Sequence, residues 1–311
     1  MLAKLIGKHS IEQERYEKLY NYYIGKHAIC ERKRSSDNIA NNKIVCNHAK
    51  YIVDIAKSYL VGNPVAYSCS DGYDIEAVKN CFAVQDMPSL DAEFEKTMSI
   101  FGKAYELVYA DEQSQPKSVC LPPSNTFIVY GAGVGEIPLY GIHYYKKRDI
   151  DGAVTGVCCI VCDREMIYTY ENTADSFLHM TMTNSQHHYF GKMPMVEYRN
   201  NEEKQGDFEQ MIPLIDAYNI LESDRVNDKE QFVDAFLFLT GIDLDSEQAK
   251  KLREERILMG YEGAAAQYLS KVMSESDIEV LKDSLKSDIH RFSMIPDLSD
   301  QTFGTNLSGV A

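Results

Sequence analysis

The amino-acid sequence predicts an α+β fold in which an antiparallel meander of strands lies between two helical regions. The spacing of apolar residues is helical up to about residue 101, alternates with the period of a strand between Ala104 and Tyr198, and is helical again from Asp207. A length of 311 residues, of which 44 % are hydrophobic, is enough for about two domains with a buried core.

The N-terminal region carries helical patterns that end near glycine. Ser10 and Gln13 fit a capping box at the start of the first helix, and Gly25 ends it. The predicted helices cover residues 10–23, 42–60, 73–83 and 90–101.

The strand region consists of short runs rich in aromatic and β-branched residues, separated by Gly, Asp and Asn. Gly131, Gly133 and Gly135 follow one of these runs and invite comparison with a phosphate-binding loop. A phosphate cradle needs a helix to begin directly after the glycines. Because Pro138 and another strand pattern come next, the sequence favours a hairpin loop.

The cysteines and histidines do not form a recognisable metal site. Cys158, Cys159 and Cys162 have no second pair of ligands at zinc-finger spacing, so they are predicted to be buried, reduced thiols of a strand. His187 and His188 lie in a polar stretch and are predicted to lie on a loop or at the surface. We therefore expect no metal and no cofactor.

The C-terminal region begins with one predicted helix from Ile212 to Thr240, with Pro213 in its first turn and Gly241 at its end. The helix is strongly acidic, and its middle, residues 222–231, offers only Val226 as an apolar anchor. Such a helix is either a spacer through solvent or two helices that the pattern runs together.

A second C-terminal helix is predicted over residues 276–293, where apolar residues form a packing stripe, and a tail rich in Pro, Asp, Ser and Gly follows. Between the two helices lies a small basic cluster, which neighbouring acids balance. Both a solvated helix face and a polar contact with a partner or DNA fit this cluster. Its members are Lys250, Lys251, Arg253 and Arg256.

The overall charge and hydropathy exclude several classes of protein. A formal net charge of −15 argues against a protein that binds nucleic acid through a broad basic surface. The apolar runs are far too short to cross a bilayer and the N-terminus lacks the order of a signal peptide, so a soluble chain that contacts no membrane is expected. No Ser/His/Asp or Cys/His constellation has a recognisable signature, and we expect no enzymatic activity.

Four segments share motifs with a known family. They are YYIGKHAICERKR and NNKIVCNHAKYIVDIAKSYLVGNPVAY within residues 22–67, FGKAYELVYADE at 101–112, PLIDAYNILESDRVNDKEQFVDAFLFLTG at 213–241, and PDLSDQTFGTNLSGVA at 296–311. In this order they resemble the portal proteins of tailed double-stranded-DNA bacteriophages of the siphophage type. The resemblance covers almost the entire chain.

The resemblance implies a portal-like division of the chain. It implies a wing over residues 1–207, a first stem helix over 208–240, a small α/β clip over 241–274, a second stem helix over 275–295, and a tunnel loop with the start of a further helix over 296–311. Members of the family continue beyond this point into a kinked helix and a helical crown. We therefore expect the chain to be part of a longer protein.

The resemblance also implies a function, namely a ring-shaped channel at one capsid vertex through which double-stranded DNA is packaged and ejected. A channel that bound phosphates tightly would slow the movement of DNA. Acidic side chains on the stem helices would repel the phosphates and so prevent this binding. The expected wall residues are Glu222, Asp224, Asp228 and Glu230. Replacing them with Lys is expected to leave assembly intact and to slow packaging.

The resemblance implies two further sets of functional residues. The expected tunnel-loop residues are Asp297, Ser299, Asp300, Phe303, Asn306 and Ser308. The basic cluster would contact a partner of the clip.

The implied partners are further copies of the chain, about twelve in the virion and about thirteen in isolated rings. The others are DNA in transit, the terminase that hydrolyses ATP, the head-tail connector or adaptor, and the major capsid and scaffolding proteins. The implied location is the portal vertex of the virion and, during assembly, the cytoplasm of the host bacterium. Two other interpretations stay open, namely a phage adaptor or scaffold without a channel and a soluble α/β enzyme.

Overall fold

The computed structural model describes residues 1–34, 40–233, 236–240, 265–269 and 275–299, which form helices and antiparallel sheets. The predicted α+β class is confirmed. The chain divides into two compact units. The first comprises Met1–His27, Cys46–Ile215 and Asp288–Ala311, and the second comprises Ala28–Val45 and Asp216–Ser287.

The N-terminal region has one helix that was not predicted, α1, and four helices that agree with the predicted ones except at their starts. They are α1 Leu2–His9, α2 Gln13–Tyr23, α3 His48–Val61, α4 Glu76–Val84 and α5 Met87–Phe101. The predicted capping box is wrong, because α1 and a 3₁₀ turn over Ser10–Glu12 lead directly into α2 and leave no free helix terminus to cap. The Ser10 hydroxyl instead donates to the carbonyl of Gly7 at 2.9 Å. α3 begins at a genuine cap, since the side chain of Asn47 accepts the N–H of Lys50 at 2.9 Å.

Eight strands lie between α5 and the C-terminal helices. They are β1 Lys103–Ala110, β2 Pro116–Leu121, β3 Thr126–Tyr130, β4 Pro138–Arg148, β5 Val154–Cys162, β6 Met166–Asn172, β7 Thr181–His187 and β8 Met195–Arg199. Strands β3 to β7 form the predicted meander in chain order. The meander does not include β1, β2 and β8, because β8 returns to pair with β1 and makes a separate three-stranded sheet.

Two apolar clusters of the first unit lie on the two faces of the meander. On one face, Ile142, Tyr144, Cys159 and Val161 pack with Ile6 of α1. On the other face, a cluster joins the meander to the three-stranded sheet, and its buried members are Tyr105, Leu107, Leu121, Cys162 and Met195.

Two predictions for the strand region are confirmed. The cysteine thiols are buried as predicted, since Cys158, Cys159 and Cys162 are all buried. The glycine-rich segment is the predicted hairpin loop, in which the N–H of Gly131 donates to the carbonyl of Ile137 at 2.9 Å.

A glycine fixes the path from the sheets to the C-terminal helices. Gly102 ends α5 with φ 84°, and a Cβ there would lie 2.1 Å from the carbonyl oxygen of Lys204. One turn earlier, the hydroxyl of Ser99 donates to the carboxylate of Asp207 at 2.6 Å. The segment before the next helix is therefore held against the end of α5.

The C-terminal elements correct the longest predicted helix. Helix α6 covers Ile212–Val233, and Phe236–Thr240 is strand β9, which pairs antiparallel with β10, Ala265–Leu269. The apolar run FLFLT fits a helix and a strand equally well, and pairing with a distant segment decides between them. The second predicted helix is confirmed as α7, Glu275–Ser293. Among the described residues, no helix is long and apolar enough to cross a membrane.

Candidate functional site

The middle of α6, which the sequence predicts to be solvated, carries a row of buried polar side chains. Asn219, Ser223 and Asn227 are spaced by four residues, so they share one face of the helix. Their exposed fractions are 0 %, 0 % and 2 %. This face of the helix is buried, so the helix is not a spacer through solvent. The helix is also continuous through residues 222–231, so it is not two helices that the pattern runs together.

Two members of the buried polar row bind a preceding segment of the same unit, residues 40–45. The hydroxyl of Ser223 donates to the carbonyl of Asn219 at 2.6 Å and accepts the N–H of Ile44 at 2.9 Å. The side-chain oxygen of Asn227 accepts both the N–H and the side-chain amide of Asn42, at 2.7 and 3.0 Å. Buried amides and hydroxyls are stable only with such partners, so the row and the segment depend on one another.

Two arginines converge on the acidic side chain beside this row. Arg32 and Arg34 both donate to Oδ1 of Asp224, at 2.8 and 2.6 Å. Arg32 also donates to the carbonyl of Asn42 at 2.8 Å, and its side chain is only 16 % exposed. The charge of Asp224 is therefore offset by two guanidinium groups. We call Arg32, Arg34, Asn42, Asp224 and Asn227 the α6 clamp.

The four predicted wall acids do not form one free acidic face. Asp224 belongs to the α6 clamp, and the carboxylate of Glu230 accepts the side-chain amide of Asn42 at 2.8 Å. Glu222 lies 3.8 Å from Arg225. Asp228 differs from the other three, because its side chain makes no hydrogen bond or ion pair within the described part of the chain.

The two predicted stem helices are joined by an ion pair within the second unit. Arg225 of α6 lies 3.1 Å from the carboxylate of Glu279 of α7. The hydrogen bond to Lys282 and the nearby Arg225 lower the pKa of Glu279, so the carboxylate remains charged. The pair therefore contributes a polar link between α6 and α7.

The structure describes only the start of the predicted tunnel loop. Oδ1 of Asp297 accepts the N–H and the hydroxyl of Ser299, at 3.0 and 2.6 Å, which forms a local turn. The other predicted loop residues, Asp300, Phe303, Asn306 and Ser308, lie outside the described residues. So do all four members of the predicted basic cluster, Lys250, Lys251, Arg253 and Arg256.

The interpretation as an enzyme receives no support from the residues that suggested it. Burial raises the pKa of Cys159 and of Cys162 to about 12, which keeps both thiols protonated and unreactive. His187 is exposed at the end of β7, as predicted for a surface residue. Among the described residues, no group of His, Cys, Asp and Glu is arranged to hold a metal ion.

Sequence reasoning did not find the partners of the α6 row. The four-residue spacing of Asn219, Ser223 and Asn227 is a signal that was available, since such a row indicates one common face. Their partners carry no such signal, because Asn42 and Asn227 are 185 positions apart.

A family model and one relative of known identity agree with the resemblance. The family model described as "Phage portal protein, SPP1 Gp6-like" matches residues 2–311. The portal protein of Bacillus phage SPP1 is 24 % identical over 336 residues, which cover 100 % of this chain and 66 % of that protein. A solved structure titled as the neck of an empty GTA particle, computed with C6 symmetry, has a TM-score of 0.46 and 12 % identity, over 78 % of this chain and 63 % of that one. The chain thus spans about two thirds of the length of these relatives.

Proposed function

This chain belongs to the SPP1 Gp6-like family of phage portal proteins, and we propose that it forms a ring-shaped channel at one capsid vertex through which double-stranded DNA is packaged and ejected. The observation that carries the proposal is the family match, which runs from residue 2 to residue 311. We assign the chain no catalysis of its own, so that ATP hydrolysis belongs to a terminase partner.

The proposed ring needs a head-to-tail interface between identical chains, with about twelve copies in the virion. Its further partners are the DNA in transit, the terminase, the head-tail connector, and the major capsid and scaffolding proteins. We place the protein at the portal vertex of the virion and, during assembly, in the cytoplasm of the host bacterium.

We propose the portal-like division of the chain with one change. Residues 1–207 form the wing, α6 and α7 are the stem helices, and the segment after Pro296 is the tunnel loop. Strand β9 belongs to the clip rather than to the first stem helix, and the support is its pairing with β10, which lies in the predicted clip. The basic cluster of the clip stays the proposed contact with a partner.

The proposed role of the stem acids now depends mainly on Asp228. A channel wall that neutralised phosphates would gain affinity through counterion release and would slow the DNA. Asp228 is the acid whose charge is not offset by a partner in the described part of the chain. Asp224 is different, because its replacement by Lys would place a third cation beside Arg32 and Arg34. We therefore expect Asp224→Lys to impair folding, whereas Asp228→Lys tests the wall.

The experiment uses the full-length protein with Asp228→Lys, and with Asp151→Lys in the exposed turn between β4 and β5 as the matched control for the charge change. Negative-stain electron microscopy measures ring formation, and an in vitro packaging assay measures the rate of DNA entry. We expect rings with a central hole for both variants and slower packaging for Asp228→Lys alone. A full-length chain without rings would favour an adaptor or scaffold and contradict the portal function. Normal rings with an unchanged packaging rate would contradict only the role of Asp228.

A further inference from the structure

The segment that follows α7 leaves the helix through a backbone conformation that needs support. Met294 has φ 57°, in the left-handed region that costs free energy for a residue with a side chain. Its side chain is 89 % exposed, so packing of that side chain does not supply the support. The polypeptide directly after Met294 is instead held by hydrogen bonds.

One tyrosine of α3 makes two of these hydrogen bonds with the same oxygen atom. The hydroxyl of Tyr51 donates to the carbonyl of Pro296 at 2.9 Å and accepts the N–H of Leu298 at 3.0 Å. A phenolic hydroxyl can donate one hydrogen and can also accept one, so the two bonds are compatible at one oxygen atom. A single side chain therefore fixes two peptide groups of the departing segment.

A histidine at the end of α7 completes the arrangement. Nδ1 of His290 donates to the carbonyl of Ile295 at 3.1 Å. The ring of His290 also meets the ring of Tyr51 edge to face, with centroids 5.5 Å apart, and the ring of His48 at 5.9 Å. Edge-to-face contacts orient both rings, so the Tyr51 hydroxyl is held where the segment passes.

We propose that Tyr51 is a positioning residue that fixes the direction in which the segment after α7 leaves the helix. The role in DNA transport rests on the proposed function, in which this segment begins the tunnel loop that faces DNA. The attachment itself rests only on the contacts of Tyr51 and His290. Because each of the three successive peptide units between Ile295 and Leu298 has one group in a hydrogen bond, the loop begins from a defined point.

The test compares Tyr51→Phe with Tyr59→Phe in the full-length protein. Phe retains the aromatic ring at position 51 and removes only the hydroxyl, so the packing against His290 stays. Tyr59 lies on the same helix and is 91 % exposed, which makes it the matched control. Amide hydrogen exchange of Leu298 reports on the attachment, since the side chain of this residue is 51 % exposed and the Tyr51 oxygen accepts its N–H. The packaging rate reports on positioning.

We expect the Leu298 amide to exchange roughly tenfold faster in Tyr51→Phe, because one hydrogen bond is lost, and to be unchanged in Tyr59→Phe. We also expect slower packaging by Tyr51→Phe, with normal rings and an unchanged melting temperature. Unchanged exchange of Leu298 in Tyr51→Phe would overturn the attachment. Faster exchange with normal packaging would overturn the positioning role. Failure of the unmodified full-length protein to form rings would instead contradict the proposed function.

Discussion

Ile142 and Tyr144 of the five-stranded sheet and Asn219 and Ser223 of α6 are all at most 3 % exposed, yet different interactions bury them. Ile142 and Tyr144 belong to a cluster of mostly apolar side chains. Asn219 and Ser223 belong to a polar row, in which the hydroxyl of Ser223 donates to the carbonyl of Asn219 and accepts the N–H of Ile44.

The two regions should therefore respond differently to mutation. Apolar burial is non-directional and roughly proportional to area, so a truncation removes a transfer free energy and leaves a cavity. A buried hydrogen bond adds little net stability, but loss of one partner leaves the other unsatisfied. Apolar burial therefore stabilises the sheet core, whereas the α6 clamp specifies which segment lies against the helix.

The largest expected effect is the truncation of the sheet core. Ile142→Ala removes a side chain that is 1 % exposed, and we expect it to lower the free energy of unfolding by about 2–5 kcal/mol. The matched control is Leu139→Ala in the same strand, where the side chain is 44 % exposed. Urea unfolding followed by circular dichroism measures both. Equal losses for the two variants would show that the meander face is not the main core.

A smaller effect is expected from the α6 clamp. Asn227→Ala removes the acceptor of the Asn42 N–H and one of the two acceptors of the Asn42 side-chain amide, which keeps its bond to Glu230, and we expect a loss of about 1–3 kcal/mol. Asp228→Ala, one residue further along the same helix, should change stability by less than about 0.5 kcal/mol, because that side chain has no partner among the described residues. If the two variants were equally stable, residues 40–45 would not depend on the polar row.

The same contrast explains which parts of the fold the sequence could predict. Alternation identified β3 to β6 of the meander, and the stripe on α7 identified its helix, because both patterns follow directly from burial of apolar side chains. Strand β7 was missed because all of its residues are exposed and polar residues dominate it. Strand β9 was missed because its run of apolar residues has no periodicity. The return of β8 to β1 was missed because pairing between distant strands leaves no local trace.

The candidate site was harder to predict for a related reason. Asn, Ser and Asp within a helix usually indicate a solvated face, so the sequence predicts that residues 222–231 are exposed to solvent. Burial of this face depends on Arg32, Arg34 and Asn42, whose positions follow from the tertiary fold and not from their spacing. The resemblance assigned the two helices to a stem, which stays a prediction, and it contained no information on the ion pairs of their acids.

The smallest expected effect is a pH dependence of stability that arises in the apolar core. This core contains a buried histidine, whereas the polar row on α6 contains none. His9 stacks on Phe127 with ring centroids 4.6 Å apart, its Nδ1 lies 2.9 Å from the Tyr144 hydroxyl, and burial lowers its pKa to about 4. The unfolded chain, with a pKa of 6.5, therefore binds a proton more readily than the folded chain, so stability is full above pH 6.5 and falls as the pH drops towards 4. After allowance for partial access of solvent, we expect a loss of about 1 kcal/mol at pH 5.5, measured by urea unfolding. His9→Asn should reduce this dependence by the share of His9 and leave that of His143, whose pKa burial also lowers to about 4. An unchanged slope in that variant would show that His9 does not contribute.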